Sequence, residues 1–532
     1  MAYLILECLE KIFLNLHDDI SIDNFYANTS TKDLYSCTLV SRHWCRVSTP
    51  LLYAYPFHHF RHLVYPTFYN YDLPSPYFKL IRTLLSCIPK SEIEQIISLD
   101  SSNEQILLSK LSGHPNKEFF SFNPMFNYIT FIRGIIFDKL LFTYSDKKIQ
   151  RWLSSYFISN NATKDQISKT SFPITNHLIK YLCTQCNGNL KKLEFPFISD
   201  DECLNKIIKR LTYNEQSRLD DLRELYYINY YNSSKVDLYF GFSNSVHNLN
   251  LLYNEGNDSD EKANSLSHFI SLQKKLQHII LSENCLGFIL DNYIGKYYNI
   301  VFESLSTQSE NLRTLKLRNI PFNEINEKAL KSLCLLKNIS ELELYYCIGI
   351  NESLNIWAKN LTRLEVFELT TQNIRDVSEG FLIQLIQSSS STLNKLIINN
   401  KRRYRRSFFQ QIPLLLNSLI HLDITIIYLD ELIIIFESCK QLVYLGIILS
   451  IDDELCGIEL SNLGKLIPKN LQKIKFKKMD NLVFNSDQMK CFFEECVNND
   501  SKLKYLEIIG KCEIDQEYFD VADEFGIQII NY

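Results

Sequence analysis

Residues 312–317 read LRTLKL and residues 339–344 read ISELEL, so apolar side chains stand at the first, fourth and sixth positions of both stretches. Successive side chains of a β-strand point to opposite faces, and the last two apolar residues of each stretch therefore share one face. The residues between them, Lys316 and Glu343, lie on the opposite face. Each stretch therefore predicts a short strand with one buried and one polar face.

The same unit recurs along most of the chain after residue 172. Copies begin at Leu190, Leu222, Val246, Leu276, Leu312, Ile339, Leu364, Leu393, Leu419, Leu442, Leu471 and Leu503. Most steps between copies span about 23 to 32 residues, the spacing of leucine-rich repeats in which strands alternate with helices. Stacked repeats of this kind bury a continuous core, so residues 172–532 are predicted to form an α/β solenoid, a horseshoe.

The N-terminus carries a helical pattern instead. Leu9, Ile12 and Phe13 form the apolar side of an amphipathic helix, and a second helix is predicted from Cys37 to Val47, with Pro50 ending it. Two such helices in about fifty residues bury too little apolar area to be stable alone. The sequence therefore predicts a module that needs a partner.

These N-terminal residues resemble an F-box, whose pattern opens with Leu-Pro-x-Glu, continues through an Ile-Phe helix and closes with a Val-Ser/Cys-Arg-x-Trp helix. The matching stretches are Leu4-Ile5-Leu6-Glu7, Leu9, Ile12-Phe13, Leu34, Val40-Ser41-Arg42 and Trp44, with Ile5 in place of the proline and a longer insert from His17 to Thr31. The resemblance implies that a Skp-type adaptor of a cullin-RING ubiquitin ligase binds Leu4, Ile5, Leu9, Ile12, Phe13, Leu34, Val40 and Trp44.

Together the two patterns resemble the family of F-box proteins with C-terminal leucine-rich repeats. Residues 1–57 are predicted to be the F-box-like domain, 58–171 a helical connecting segment that caps the repeats, and 172–532 the repeat domain. Within the connecting segment, helices are predicted from Tyr77 to Ile88 and from Phe131 to Leu141.

Composition indicates protein partners. The net charge of −5 provides no basic field for nucleic acid or anionic membranes. Fifteen cysteines, spread singly, favour reduced thiols and a cytoplasmic and/or nuclear location. The N-terminus lacks the basic start of a signal peptide, and no segment has the uncharged length of a membrane span, so a soluble chain is expected.

Catalytic and cofactor motifs are absent from the sequence. Glycine is scarce, 14 of 532 residues, and no glycine-rich phosphate-binding loop, H-E-x-x-H or G-x-S-x-G motif occurs. Cys183 and Cys186 form a Cys-x-x-Cys without a second pair at zinc spacing, and are interpreted as core residues. We therefore expect neither a cofactor nor a metal site, and no catalytic residue.

Client-binding residues are predicted on the concave face of the horseshoe, between the buried leucines: Lys316, Arg318, Glu341, Glu343, Glu368, Lys395, Asp423, Lys473, Lys475 and Lys477. The basic stretch 401–406, with Arg402, Arg403, Arg405 and Arg406, allows three interpretations. It is a solvated loop, a contact for an acidic or phosphorylated substrate, or a nuclear localisation signal.

What the resemblance implies is a non-catalytic substrate-recognition subunit of a Skp-cullin-F-box ubiquitin ligase, with the adaptor on the F-box and a client protein on the repeats. Two alternatives remain open at the level of sequence. One is a repeat scaffold whose degenerate F-box has no role in a ubiquitin ligase. The other is a hydrolase within residues 58–171, which the sequence does not support with convergent polar groups.

Overall fold

A computed structural model describes residues 6–14, 32–60, 75–89, 91–92, 95, 124–136, 174, 177–182, 184–186, 189–195, 219, 221–228, 246–254, 260–284, 293–371, 377–399, 408, 411–412, 415–416, 418–426, 429–449, 463–479, 485–510 and 514–531. These residues belong to two compact units. Unit 1 comprises residues 1–258 and 272–275, and unit 2 comprises 259–271 and 276–532.

Three helices form the N-terminal module of unit 1: α1 (Leu6–Leu14), α2 (Lys32–Thr38) and α3 (Arg42–Leu52). Ser41, between α2 and α3, has extended backbone angles, and its hydroxyl accepts a hydrogen bond from the Trp44 amide at 3.1 Å. This N-cap starts a new helix, because the serine side chain replaces a backbone partner that a continuous helix would supply. The single helix predicted from Cys37 to Val47 is therefore wrong, and Val40 lies in a turn.

The predicted end of the second helix at Pro50 is also wrong. Pro50 lies inside α3, which continues to Leu52. A proline removes one backbone donor from a helix. Leu51 and Leu52 nevertheless pack against the core of the module, and this packing keeps the last turn helical.

The connecting segment contributes α4 (Ser75–Ser86), as predicted, and short 3₁₀ turns at His58–Phe60 and Tyr128–Phe131. It also contributes strand β1 (Gly134–Ile136), where a helix was predicted. The amides of Arg133 and Gly134 both donate to the carbonyl of Ala54, at 2.7 and 3.1 Å. Because the amides of Arg133 and Gly134 are bonded to Ala54 and the strand is fully buried, the chain is extended here and does not form the predicted helix. The same bonds fix the end of the N-terminal module to the first strand of unit 1.

Parallel strands follow in chain order. In unit 1 they are β1, β2 (Lys192–Phe195), β3 (Glu224–Ile228) and β4 (Asn248–Asn254). In unit 2 they are β5 (His278–Asn284), β6 (Thr314–Arg318), β7 (Glu341–Tyr345), β8 (Val366–Thr370), β9 (Lys395–Asn399), β10 (His421–Ile426), β11 (Tyr444–Leu449), β12 (Lys473–Met479), β13 (Tyr505–Gly510) and β14 (Gln528–Asn531). Within each unit every strand pairs in parallel with the strand before it.

The strands confirm the repeat. Each copy found in the sequence is followed by a strand that begins two residues after its first apolar residue. Equivalent leucines are in register; Leu315 pairs with Leu342, and both are fully buried. The strands of each unit are therefore stacked as in a solenoid of the leucine-rich-repeat kind, as predicted.

Two strands, β1 and β14, were missed. The stretch Ile132-Arg-Gly-Ile135-Ile-Phe137 matches the motif at β1, so a search extended upstream would have found it. At β14 the first and sixth positions are Gly526 and Asn531, which hide the pattern.

One helix precedes β5, and others return the chain between the later strands of unit 2. They are α5 (Asp260–Leu272), whose last residue belongs to unit 1, and α6 (Tyr293–Leu305), α7 (Glu327–Cys334), α8 (Asn355–Asn360), α9 (Glu379–Ser388), α10 (Leu429–Ser438), α11 (Ser486–Asn498) and α12 (Gln516–Glu524). Within the part of the chain that is described, none of the helices has the length and apolar character needed to cross a bilayer.

A ladder of buried aromatic rings fills the space behind strands β6 to β8. Phe302, Phe322, Trp357 and Phe381 follow one another with ring centroids 5.8 to 6.3 Å apart. Trp357, on the short helix α8, contacts a ring on each side. The ladder therefore couples successive repeats through side chains, in addition to the backbone bonds of the sheet.

Replacing Trp357 by Ala tests this coupling. Removing a buried indole leaves a cavity, and the free energy of unfolding should fall by about 3 to 5 kcal/mol. The neighbouring Ile356→Ala is a matched control, since Ile356 is 55% exposed on the same helix and should cost less than about 0.5 kcal/mol. Urea unfolding followed by circular dichroism measures both variants; equal losses would contradict the ladder.

Candidate functional site

The N-terminal module has its own core, and several predicted adaptor-binding residues belong to it. Leu9, Phe13 and Leu34 are each about 1% exposed and cluster with Cys37 and Val47. The Trp44 ring packs edge-on against Phe13, with centroids 5.1 Å apart. These side chains form the core of the module, with Trp44 partly buried against it. Their part in adaptor binding stays a prediction.

Other apolar residues of the module face solvent. Among the predicted residues these are Ile12 and Val40; the sequence reasoning missed Leu14, Tyr35 and Leu39, which are also exposed. All five side chains are between 45% and 71% exposed. The signal available for Leu39 was its place shortly before Ser41, since serine is a preferred N-cap and a helix that begins after it leaves the preceding residues outside. Leu4 and Ile5 lie outside the described residues. Adaptor binding by this set stays a prediction.

The predicted client residues of unit 2 lie on the outward face, defined here as the side of the strands that carries the residues between the buried leucines. On β6 and β7 they neutralise one another. The Nζ atom of Lys316 lies 3.1 Å from Glu341 and 3.7 Å from Glu343, and Nε of Arg318 lies 2.8 Å from Glu343. Two cations therefore meet two carboxylates, and this part of the outward face carries no net charge.

The remaining predicted residues also form ion pairs. Lys395 on β9 pairs with Glu368 on β8, and Lys477 on β12 pairs with Asp423 on β10. Lys473 and Lys475 both pair with Glu507 on β13, at 2.9 and 3.1 Å. Arg402, Arg403, Arg405 and Arg406 lie outside the described residues.

Glu507 was missed by the sequence reasoning, although it stands between Leu506 and Ile508 and so occupies the same repeat position as Lys475. Burial raises the pKa of its carboxyl group, but the hydrogen bonds and charges of Lys473 and Lys475 outweigh burial, and the pKa is lowered. Glu507 is therefore an ionised, buried anchor beneath two lysines.

Two further residues of the outward face, His421 and Tyr444, were also missed. They are directly paired on β10 and β11, and their rings are stacked with centroids 4.0 Å apart. Burial lowers the pKa of His421 to about 4, and Lys395 adds to the effect. Burial also raises the pKa of Tyr444. The stack is therefore neutral at physiological pH.

The low pKa of His421 predicts a stability that depends on pH. In the unfolded chain its imidazole titrates near 6.5. As pH falls from 6.5 towards 4, the unfolded state binds a proton that the folded state does not, so the folded state loses stability across this window. Above the window, His421 is neutral in both states and its contribution to stability is fully present. As pH falls across this window, the melting temperature of the native chain should decrease relative to that of His421→Gln. A difference that is the same at pH 4.5 and pH 7.5 would contradict it.

The turn after β7 contains a backbone outlier at the border of the outward face. Tyr346 has φ +52°, a left-handed conformation that bulky side chains rarely adopt. Its amide donates to the carbonyl of Thr370 at 2.7 Å, and Asn319 makes the equivalent bond, with φ 61°, after β6. Asparagine adopts the left-handed conformation more readily than tyrosine does. The backbone conformation of Tyr346 therefore costs free energy.

The result is a tyrosine pair in which Tyr345 is exposed and Tyr346 is half-buried. The rings of Tyr345 and Tyr346 lie 4.1 Å apart, and a hydrogen bond between their side chains, together with burial, raises the pKa of Tyr345. Replacing Tyr346 by Asn or by Val removes the ring in both cases. Because a β-branched residue is least tolerant of positive φ, the Asn variant should be about 1 to 2 kcal/mol more stable than the Val variant. Thermal unfolding measures this, and equal stabilities would rule out the strain.

The outward side of β1 and β2 in unit 1 is covered by the chain itself. The side chains of His58 and Glu194 are completely buried, with Nε2 3.3 Å from the carboxylate, and Lys192 lies 3.4 Å from the same oxygen. The Tyr55 ring packs so closely over Gly134 that a Cβ there would lie 2.5 Å from it. The segment after α3 therefore occupies the outward side of β1 and β2.

Comparisons with protein-family models and with curated proteins find no match. Among solved structures, the chain is similar to one from a crystal structure of the Rad7 and Elc1 complex in yeast, at 16% identity and a TM-score of 0.36, covering 70% of this chain and 92% of that one. It is also similar to the leucine-rich-repeat-containing protein LegL7 from Legionella pneumophila, at 14% identity and a TM-score of 0.33, covering 60% and 93%.

Proposed function

We propose that this chain is the substrate-recognition subunit of a Skp-cullin-F-box ubiquitin ligase. The adaptor would bind the N-terminal module, and a client protein would bind the outward face of the repeats in unit 2. The chain itself would be non-catalytic and would act by holding the client near a ubiquitin-charged enzyme. The observation that carries the proposal is the presence, in one chain, of a small helical module with exposed apolar side chains and of a repeat solenoid with a polar outward face.

The N-terminal module supports the adaptor half of the proposal. Its buried core orders three short helices, and five large apolar side chains remain in solvent. Exposed apolar residues concentrated on one small module are typical of a protein-binding surface. Leu39 and Val40 are the most exposed of the five and lie together in the turn before α3.

The module is attached to the first strands of unit 1. The carbonyl of Ala54, just after α3, accepts two backbone bonds from residues 133 and 134 at the start of β1. Buried contacts of His58 with β2 and of Tyr55 with β1 add to these bonds. An adaptor bound to the module would therefore be held on the repeats of unit 1 and not on a free tail.

The adaptor half is tested by charging the exposed turn. In the double variant Leu39→Glu/Val40→Glu, two apolar contacts with the adaptor become buried charges, and affinity should fall by about 100-fold or more. Because both side chains are exposed in the free chain, its melting temperature should hardly change. Val497→Glu, at an exposed position of α11 in unit 2, is the matched control and should bind like the native chain.

Titration of a purified Skp-type adaptor by isothermal calorimetry measures these affinities. Equal binding by the double variant and the control would remove the turn from the interface. A native chain that binds no adaptor at all would instead favour a repeat scaffold with a degenerate F-box.

A further inference from the structure

One part of the outward face in unit 2 has an unbalanced charge. From β8 to β13, four lysines meet three carboxylates: Lys395, Lys473, Lys475 and Lys477 against Glu368, Asp423 and Glu507. Lys395 pairs with Glu368 alone, and Lys477 pairs with Asp423 alone. The excess is located at Glu507, where one carboxylate serves both Lys473 and Lys475.

The geometry leaves this excess charge accessible. The Glu507 side chain is only 6% exposed, whereas Lys473 is 31% and Lys475 21% exposed. Each ammonium group has three donors and gives one of them to Glu507. An anion arriving from solvent would therefore meet the lysine tips first, with the carboxylate shielded beneath them.

An aromatic row adjoins these lysines. The register aligns His421, Tyr444, Lys473 and Tyr505 side by side across β10 to β13. Tyr444 lies between the stacked His421 ring and the Lys473 ammonium group, which is 5.9 Å from its centroid. Tyr505, on the other side of Lys473, is exposed. Lys473 therefore has a tyrosine beside it on each neighbouring strand, Tyr444 on β11 and Tyr505 on β13.

A glycine lets one ion pair of this face reach across a strand. Gly446, on β11, has no side chain, and a Cβ there would lie 2.6 Å from the Asp423 carboxylate. Asp423 thus folds over Gly446, and Lys477 reaches from β12 to bond it. This pair occupies the space beside the aromatic row, so Lys473 and Lys475 are the lysines of β12 that an incoming anion would meet.

We propose that this part of the outward face, which we call the lysine-tyrosine surface (Tyr444, Lys473, Lys475 and Tyr505), binds an acidic peptide segment of a client protein. This inference rests on the proposed function. A carboxylate of the segment pairs with Lys473 and Lys475, and an adjacent planar side chain lies against Tyr505 or Tyr444.

The charges favour a carboxylate over a phosphate. One positive charge in excess matches one carboxylate, whereas a phosphate carries up to two negative charges at neutral pH. Bidentate phosphate recognition also relies on arginine, and the charged groups here are lysines. A single excess cation is likewise too little for a nucleic-acid backbone, whose binding requires several neutralised phosphates.

A graded charge series tests the proposal. Substituting the lysines alone would leave Glu507 buried without a counter-ion and would destabilise the fold. The series therefore compares three full-length chains: Glu507→Gln, the native chain, and the triple variant Lys473→Gln/Lys475→Gln/Glu507→Gln. Relative to the native surface, the first has one more positive charge and the triple variant one fewer.

The probe is a fluorescein-labelled twelve-residue peptide of alternating Glu and Tyr, and anisotropy measures its affinity. Affinity should follow the positive charge, rising several-fold in Glu507→Gln and falling on the order of tenfold in the triple variant. Lys331→Gln, at an exposed position of helix α7 away from the outward face, is the matched control and should change affinity less than twofold.

Three results would overturn the proposal. They are equal affinity across the charge series, equal affinity for a peptide with Gln in place of Glu, and tighter binding of a phosphoserine peptide or a single-stranded oligonucleotide than of the Glu peptide. Adaptor binding is measured in parallel on the same chains and should be unchanged. A failure on the lysine-tyrosine surface is thereby separated from a failure of the N-terminal module.

Discussion

Parallel pairing of short strands in constant register is the interaction on which the rest of this structure depends. It places each buried leucine beside its equivalent in the next repeat, as Leu315 lies beside Leu342 and Leu342 beside Phe367. No repeat can bury its apolar face alone, so each is stable only between neighbours. The return helices and the aromatic ladder through Trp357 add side-chain contacts to this backbone arrangement.

The same register determines the electrostatics of the outward face. Adjacent parallel strands are about 4.8 Å apart, so the outward residues of neighbouring repeats lie side by side. Like charges in such positions repel, and opposite charges attract, as Lys316 does with Glu341 and Glu343. Where the register places two carboxylates side by side, Glu343 and Glu368, each pairs with a cation of its other neighbouring strand. A charged residue on this face is therefore not by itself a binding residue. Binding is expected where pairing is incomplete, and among the described residues Glu507 with its two lysines is such a place.

The two units use their outward faces differently. In unit 1, Tyr55 packs over Gly134 of β1 and His58 pairs with the buried Glu194 of β2, which fixes the N-terminal module to the first repeats. In unit 2, lysines, tyrosines and carboxylates of the outward face retain contact with solvent. One face thus serves internal attachment, and the other is available to a partner.

The sequence by itself determined the local structure. Alternation of apolar and polar residues is a property of a few neighbouring positions, and it predicted the strand after each of the repeat copies and the outward position of residues such as Lys475. The alternation did not predict the strand β1 or the turn at Val40. At β1, backbone bonds to the carbonyl of Ala54 override the helical pattern, and at Val40 the cap at Ser41 does so. Only the tertiary structure decided which charges are neutralised. Ion pairs such as Lys477 with Asp423 join residues 54 positions apart, and no local pattern records that separation.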